Sequence, residues 1–475
     1  MRIRETLRNH WIALGALSAV ALISWQPAQL TDAWMYAATG RWIVDNRAVP
    51  WSDPLTWTFA GSPWQSNGWL WGVLLYAVLW AGGFAGMAAI KPLMVVAIGL
   101  SIRWAARRYG ATSRAATIGM MAGILLILGD VAERPQLASF ALLPLSLAAG
   151  TASVRGGGLR WRPTLATAVI FAVWTNLHSA ALGGLVILGA ATVGVVLDER
   201  PREIRRLARR GLDVAVVMVA AGLATLANPY GTSTWSYARY VREVSKVNAS
   251  EWAHPWQVLE LSGGFELILI AFVVVLVFAF KAYRRLDVLL PTIVAIALTL
   301  EAVRNAPTLV LTAAVVLPAV VPKSLTDRIA ARRDLLRVGV VAMLAITAAI
   351  AIPRIVSTSE PGADTPVGPS SALPAGCRLA NDYTLGNWVL WARPDIPTSI
   401  DGRNDVYGLD LSKFLWFYSR GDQQSVIAEL RAADVTCVLS RPSSEIVTAL
   451  EAAGWRVIAT DDTAVALVPP DPPER

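Results

Sequence analysis

TDAWMYAATGRWIVDNRAVPWSDPLTWTFAGSPWQSNGW, Thr31 to Trp69, stands directly behind the first apolar stretch of the chain. It is polar, crowded with tryptophan, carries acids at Asp32 and Asp53, and returns through Pro and Gly to another apolar run. A loop of this kind, opening a chain that is otherwise a succession of apolar runs, reads as chemistry done at a membrane face. An acid beside the bilayer can serve as a general base toward a substrate delivered from lipid.

The rest of the chain supports that setting. Of its 475 residues 55% are hydrophobic and 16% charged, against about 25% charged in soluble domains, and its mean hydropathy is +0.48. Candidate spans are 11–25, 69–81, 86–102, 115–128, 137–149, 165–174, 180–197, 214–227, 265–280, 288–300, 309–321 and 338–352. Helices or closed barrels alone satisfy the backbone in lipid, and the alternation a barrel needs is absent. The expected class is a polytopic α-helical membrane protein of about eleven to thirteen transmembrane helices. The charged head and apolar body of 1–25 read as a retained first helix, because no small-residue cleavage site precedes the loop.

A net charge of +8 in a soluble protein would suggest nucleic acid. Here the cations gather in short loops, 103–114, 155–162, 200–210, 281–285 and 323–337, the bias of cytoplasmic loops, so no nucleic-acid partner is expected. The alternate loops, 130–135, 176–179, 228–264, 301–307 and everything after Pro353, are then extracytoplasmic, and they hold nearly all the unusual polar residues. An even number of candidate spans would place the basic head and the C-terminal region on the same side. Reading 69–81 as interfacial or re-entrant, or adding a missed crossing, removes the conflict.

Three regions are expected. Residues 1–356 form the transmembrane part, with an external loop at 29–68, and the Ser/Pro/Gly-rich 357–374 is a linker. Residues 375–475 form a small extracytoplasmic α/β domain, with strand-like runs at 436–440, 455–460 and 464–468 and helical patterns at 423–433 and 443–453. The two cysteines, Cys377 and Cys437, both lie there; a disulfide and two buried thiols both fit. His10, His178 and His254 are too dispersed to suggest zinc, and no CxxC, P-loop or Rossmann fingerprint occurs.

Asp32 opens a segment with helical spacing, Asp32 to Asn46, that puts Ala33, Tyr36, Ala37 and Gly40 near one face and reads as a short helix lying on the membrane. As an N-cap, Asp32 would be purely structural. As an interfacial carboxylate with a raised pKa, it would take a proton from a hydroxyl. Asp53, in a Ser-Asp-Pro turn, suits a turn former and is the reserve acid. Arg134, in GDVAERPQ, and Arg304, in EAVRNAP, are arginines at outward helix turns, where ionisable groups suggest function. Either suits a bidentate clamp on a lipid phosphate, although Arg134 also suits a structural pair with Glu133. His178, in WTNLHSA, fits a hydrogen-bonded turn residue or a substrate contact. Glu251, in SEWAHPW, sits among aromatics that suit sugar stacking and equally an interfacial belt. Asp382, Asp401, Arg403 and Asp405 are explained mainly by turns.

With these residues in view, the chain resembles the GT-C superfamily of integral-membrane glycosyltransferases, which includes the protein O-mannosyltransferases and bacterial transferases that decorate lipid-linked glycans. DAWMYAATGRW after a first helix, the return SPWQSNGWLWG, and the segments ERPQ, TNLHS, NPYG and SEW carry the likeness. The resemblance implies transfer of a hexosyl or pentosyl unit from a polyprenyl-phosphate donor, with inversion, to an extracytoplasmic hydroxyl on a glycan, lipid or protein in the cell envelope. It implies Asp32 as the catalytic base, Arg134 and Arg304 as phosphate partners, and Tyr36, His178 and Glu251 as further substrate contacts. Ala33 stands where the family often has a second acid, so a metal-independent base is expected, with metal dependence left open and no other cofactor. A transporter or flippase of a lipid-linked saccharide and a non-catalytic envelope assembly protein are the competing readings. The first would predict an internal repeat, and none is found.

Overall fold

Each candidate span centres on a helix, as backbone groups without water must bond within their own segment. The computed structural model describes residues 2–27, 29, 31–200, 203–331, 333–356, 358, 360–409 and 422–470. Within the expected domain 375–475, residues 410–421 and 471–475 therefore lie outside the described residues. The helices are α1 (Arg2–Ile23), α2 (Ala33–Asn46), α3 (Trp69–Arg108), α4 (Ser113–Leu126), α5 (Gln136–Val154), α6 (Trp161–Leu177), α7 (Ala181–Asp198), α8 (Ile204–Ala224), α9 (Ser233–Asn248) and α10 (Leu259–Ser262). They continue with α11 (Phe265–Ala279), α12 (Leu286–Glu301), α13 (Ala306–Val316), α14 (Lys323–Ala331), α15 (Arg333–Val356), α16 (Val367–Ala372), α17 (Tyr383–Ala392), α18 (Asn404–Tyr407), α19 (Gln423–Ala432) and α20 (Glu445–Ala452). The strands are β1 (Leu379–Asn381), β2 (Cys437–Ser440), β3 (Arg456–Thr460) and β4 (Val465–Val468).

Among the described residues, four helices are long and apolar enough to cross a membrane, at Trp69–Arg108, Gln136–Val154, Ala181–Asp198 and Val338–Ile355. Shorter apolar helices lie at Ala13–Ile23, Ser113–Leu126, Phe265–Ala279 and Val303–Ala319. The runs 69–81 and 86–102 are consecutive stretches of one helical element, α3, rather than two helices joined by a loop. The break falls at Gly83, with φ 54° and ψ −148°, a conformation that glycine reaches without a Cβ penalty.

The chain packs as two units. The first comprises Met1–Gln26, Ala88–Ser236 and Ala249–Val356; the second comprises Pro27–Met87, Tyr237–Asn248 and Ser357–Arg475. In the first unit, small residues let helices approach closely, as bundles in lipid require. Gly119 and Gly123 of α4 face Ala314 of α13, and Gly194 of α7 lies against the backbone at Leu286, where α12 begins. Outward faces keep large apolar side chains exposed, including Leu93, Ile268, Phe272 and Phe278. At the basic end, Asp287 takes Arg155 and Arg285 at 3.0 and 2.8 Å, and the Asp198 carboxylate accepts the Leu286 and Asp287 N–H groups.

In the second unit a sheet of order β1-β2-β4-β3 pairs β1 with β2 in parallel and the other neighbours antiparallel. Its two faces bury separate apolar clusters, one built on Val426, Ile427, Leu430, Ile446, Leu450 and Trp455, the other on Leu379, Leu385, Val389, Ile396 and Leu439. Cys377 and Cys437 form a disulfide, Cα atoms 6.0 Å apart, which decides between the two readings of these thiols. The Ser/Pro-rich stretch before the sheet holds a helical turn, α16, whose Ser370 accepts the Trp388 indole N–H at 3.0 Å. The helix α2 forms where the spacing predicted it, but its apolar side is covered by protein. Trp34 meets Trp388 of α17 edge-on at 4.9 Å, and Met35 and Ala38 pack with Leu390. On another side Gly40 lies against the backbone of Gly72; a Cβ there would stand 2.0 Å from the Gly72 carbonyl oxygen.

Candidate active site

Two groups of polar residues stand out, one in each unit. In the second unit Asp32 is the N-cap of α2, with φ −60° and ψ −14°, yet its side chain makes no capping bond. The Ala33 N–H is instead accepted by Thr31 Oγ1 at 3.3 Å. Asp32 Oδ1 lies 3.4 Å from Asn387 Nδ2, on α17. The Asn387 carbonyl oxygen accepts the Gly402 N–H at 2.7 Å, which fixes the amide with its NH₂ toward the acid. Asp32 is half-buried while Asn387 is fully buried. Tyr36, one turn along α2, is half-buried and shares the acid's side of the helix.

Asp53, the reserve acid of the loop, has a different setting. It is buried and receives Arg403 Nη1 at 2.7 Å. Its carboxylate also accepts the N–H groups of Leu55 and Thr56 and the Thr56 hydroxyl. Arg403 in turn holds Asp401 through Nε at 2.8 Å and Nη2 at 2.6 Å, beneath the ring of Trp64 at 4.6 Å. Burial works against the guanidinium charge, but Asp401 and Asp53 hold its pKa well above the ordinary value. Nearby Asp405 accepts the Trp64 indole N–H at 3.2 Å and the Tyr237 hydroxyl at 2.8 Å; burial pushes its carboxyl up. Asp382 caps α17 by accepting the Thr384 N–H. These acids are spent on architecture.

In the first unit Arg134, His178, Glu251 and Arg304 come together. Glu251 Oε1 lies 2.9 Å from Arg304 Nη1 and 3.9 Å from Arg134 Nη2. The Arg304 guanidinium sits over the Trp252 ring at 4.2 Å. Glu133, the acid considered from the sequence as a partner of Arg134, meets Lys91 of α3 at 3.1 Å, both side chains buried. Arg134, Arg304 and Glu251 keep 29%, 24% and 41% of their side-chain surface, so an anion from outside can reach them. The His178 Nδ1 contacts Ser139 Oγ at 2.7 Å, and the same hydroxyl accepts the Trp174 indole N–H at 2.7 Å. Burial, then the charges of Arg304 and Arg134, push His178 down to about 3, so the imidazole is neutral near pH 7. Asp130 moves the other way: partial burial, then the charge of Glu251, raises it to about 6.

Asn176 bridges the turn after α6 to the end of α8, donating to the Ala172 and Ala227 carbonyls, each at 2.7 Å. Among the described residues no group of three or more His, Cys, Asp or Glu has the arrangement of a metal centre. Sequence reading missed Lys91 and Asn387. A lone lysine inside the apolar run 86–102 was a usable signal for the first; Asn387 carried none, since its partner is 355 positions away.

No protein-family model matches the sequence, and no curated protein matches it. Solved structures do match in fold. ArnT from Cupriavidus metallidurans in the apo state superposes with TM-score 0.57 at 15% identity, over 97% of this chain and 98% of that one. ArnT bound to undecaprenyl phosphate gives 0.54 at 15%, over 96% and 97%. The archaeal oligosaccharyltransferase AglB from Archaeoglobus fulgidus, in complex with an inhibitory peptide and a dolichol-phosphate, gives 0.56 at 14%, over 92% and 70%. At such identity the likeness speaks for the fold alone: a mostly helical chain with apolar helices and a small C-terminal α/β sheet domain, similar to these membrane-protein structures.

Proposed function

We propose that this protein is a membrane glycosyltransferase that moves a sugar from a polyprenyl-phosphate donor to an acceptor hydroxyl, with inversion, using Asp32 as general base. One observation carries the reading. The acid at the start of α2 is not used to cap its helix, stays half-exposed, and has the Asn387 amide within 3.4 Å. A carboxylate so placed can accept a proton. The acceptor oxygen bonds to the anomeric carbon as the bond from that carbon to the phosphate oxygen breaks. The hydroxyl proton goes to Asp32, and the polyprenyl phosphate leaves. Arg134 and Arg304 hold the phosphate and stabilise the charge it gains. Glu251 then acts as the internal anion that the phosphate displaces, Tyr36 contacts the acceptor, and His178 contacts the donor in its neutral form.

A lipid donor is supported by an apolar groove between α4, α11 and α13, lined by Leu126, Leu269 and Val310 at one end and Phe280, Pro318 and Val321 at the other. At the first end α4 runs on into the turn of Asp130 and α13 begins just after the turn of Arg304, beside the arginine cluster. The matched structures holding dolichol-phosphate and undecaprenyl phosphate support the same donor class. The disulfide supports an extracytoplasmic C-terminal domain, since such bonds persist in oxidising compartments, and the basic loops support the opposite ends as cytoplasmic. The O-mannosyltransferase-like subtype belongs to this proposal as well. The test is to incubate membranes containing the protein with radiolabelled polyprenyl-phosphate sugars and follow the label. Transfer that Asp32→Asn abolishes supports the enzyme; label that changes leaflet without changing its chemical linkage would support a flippase instead.

A further inference from the structure

We infer that the C-terminal domain supplies a positioning residue, Asn387, which orients the Asp32 carboxylate and keeps it ionised, with Gly402 as the anchor of that device. The inference rests on Asp32 being the base. Its geometry is built from both sides. The Asn387 amide cannot flip without loss, because its oxygen accepts the Gly402 N–H at 2.7 Å. The NH₂ end is therefore the one facing Asp32 Oδ1 at 3.4 Å. Asn387 is buried on α17, and that helix is fixed in turn on α2 by the Trp34–Trp388 contact and by Arg41, which donates to the Leu390 and Trp391 carbonyls at 2.8 and 2.9 Å. The second observation is Gly402 itself. A Cβ at that position would stand 3.0 Å from both Asp32 Oδ1 and Asn387 Oδ1, tighter than an ordinary contact. A side chain there would press on both the acid and the amide, which would have to shift by a few tenths of an ångström.

An N–H donor to a carboxylate favours its charged form. Asn387 accordingly lowers the pH at which Asp32 becomes a usable base, and it aims the oxygen that takes the proton. A polar residue that only filled space in α17 would do neither. The C-terminal domain is then part of the catalytic apparatus through the neutral amide of Asn387.

The test uses the full-length protein in membranes and compares the pH profile of kcat for the wild type, Asn387→Ala, Asn387→Asp and Asp32→Asn. Asn387→Ala is expected to lower kcat about tenfold, with donor KM unchanged and the acidic limb of the profile moved to higher pH. Asn387→Asp is nearly isosteric and keeps the acceptor for Gly402, so it tests the idea even where the alanine variant fails to fold. It sets a second negative charge beside the first, and its acidic limb is expected to move further up than that of Asn387→Ala. A folded Asn387→Asp with the wild-type limb overturns the positioning role. If Asp32→Asn keeps wild-type turnover, the assignment of the base has failed instead, and the two failures are thereby told apart.

Discussion

The loop after the first helix brings two acids, Asp53 and Asp32, against the C-terminal domain, and the two meetings differ in kind. At Asp53 a buried carboxylate is fully paired, with Arg403 shared between it and Asp401 and two backbone N–H groups completing the shell. At Asp32 a half-exposed carboxylate lies beside the neutral amide of Asn387. Charge that is saturated with partners is held for structure, because a proton or substrate would have to displace those partners. Charge that keeps a face toward solvent is the kind that reacts. Both acids belong to one stretch of sequence and both lie near tryptophans, so residue type and local motif do not separate them; the partners do.

The contrast can be broken by direct substitution. Asp32→Asn is expected to lower kcat by a factor on the order of 10² to 10⁴ while the melting temperature stays near that of the wild type. Thermal unfolding in detergent alongside the transfer assay checks both halves. Asp53→Asn should do the reverse. Leaving Arg403 with one of its two buried carboxylates costs about 3–5 kcal/mol of stability, visible as a lower melting temperature, while turnover per folded molecule is kept. A D53N protein that melts normally but has lost activity would merge the two sites into one.

The arginine cluster sharpens the same distinction, because its charges are neither saturated nor isolated. Removing one phosphate partner, as Arg304→Gln or Arg134→Gln, should raise donor KM about ten- to a hundredfold, with acceptor KM unaltered. Equal effects on both substrates would count against a phosphate role. The smallest effect belongs to Asp130. Its carboxyl, raised to about 6, is neutral below that pH and negative above it. A negative charge near Arg134 opposes a phosphodiester donor, which itself does not titrate in this range. Donor affinity should therefore fall a few-fold as pH rises through about 6, and Asp130→Asn should flatten that dependence. A pH-independent KM in the wild type would remove Asp130 from the account.

His178 shows how an element legible in sequence changes meaning once folded. Its position at the break between α6 and α7 was readable from the run WTNLHSA. Its neutrality was not, because that follows from burial and from Arg134 and Arg304, which are remote in sequence. Strands β2, β3 and β4 and helices α19 and α20 fall on the runs singled out for them, since alternation and spacing act over a few residues. β1 and α17 were missed: three residues at Leu379–Asn381 are too short for a periodic signal, and α17 is held by what it packs against. The amphipathic face of α2 was legible, while its cover, α17 and the first part of α3, was not.

The amino-acid sequence by itself determined the apolar runs that form helices, the clustering of cations in short loops between them, and the presence of an acid at the head of a helix behind the first apolar run. Each is fixed by solvation and by local periodicity, which need no knowledge of distant neighbours. Only the tertiary structure decided which acid is locked by Arg403 and which is met by Asn387, that Glu133 meets Lys91, and that Glu251 stands with both Arg134 and Arg304. Those outcomes depend on side chains tens to hundreds of residues apart. An ionisable group's role is set by the charges and donors within a few ångströms of it, and that neighbourhood exists only after the chain has packed.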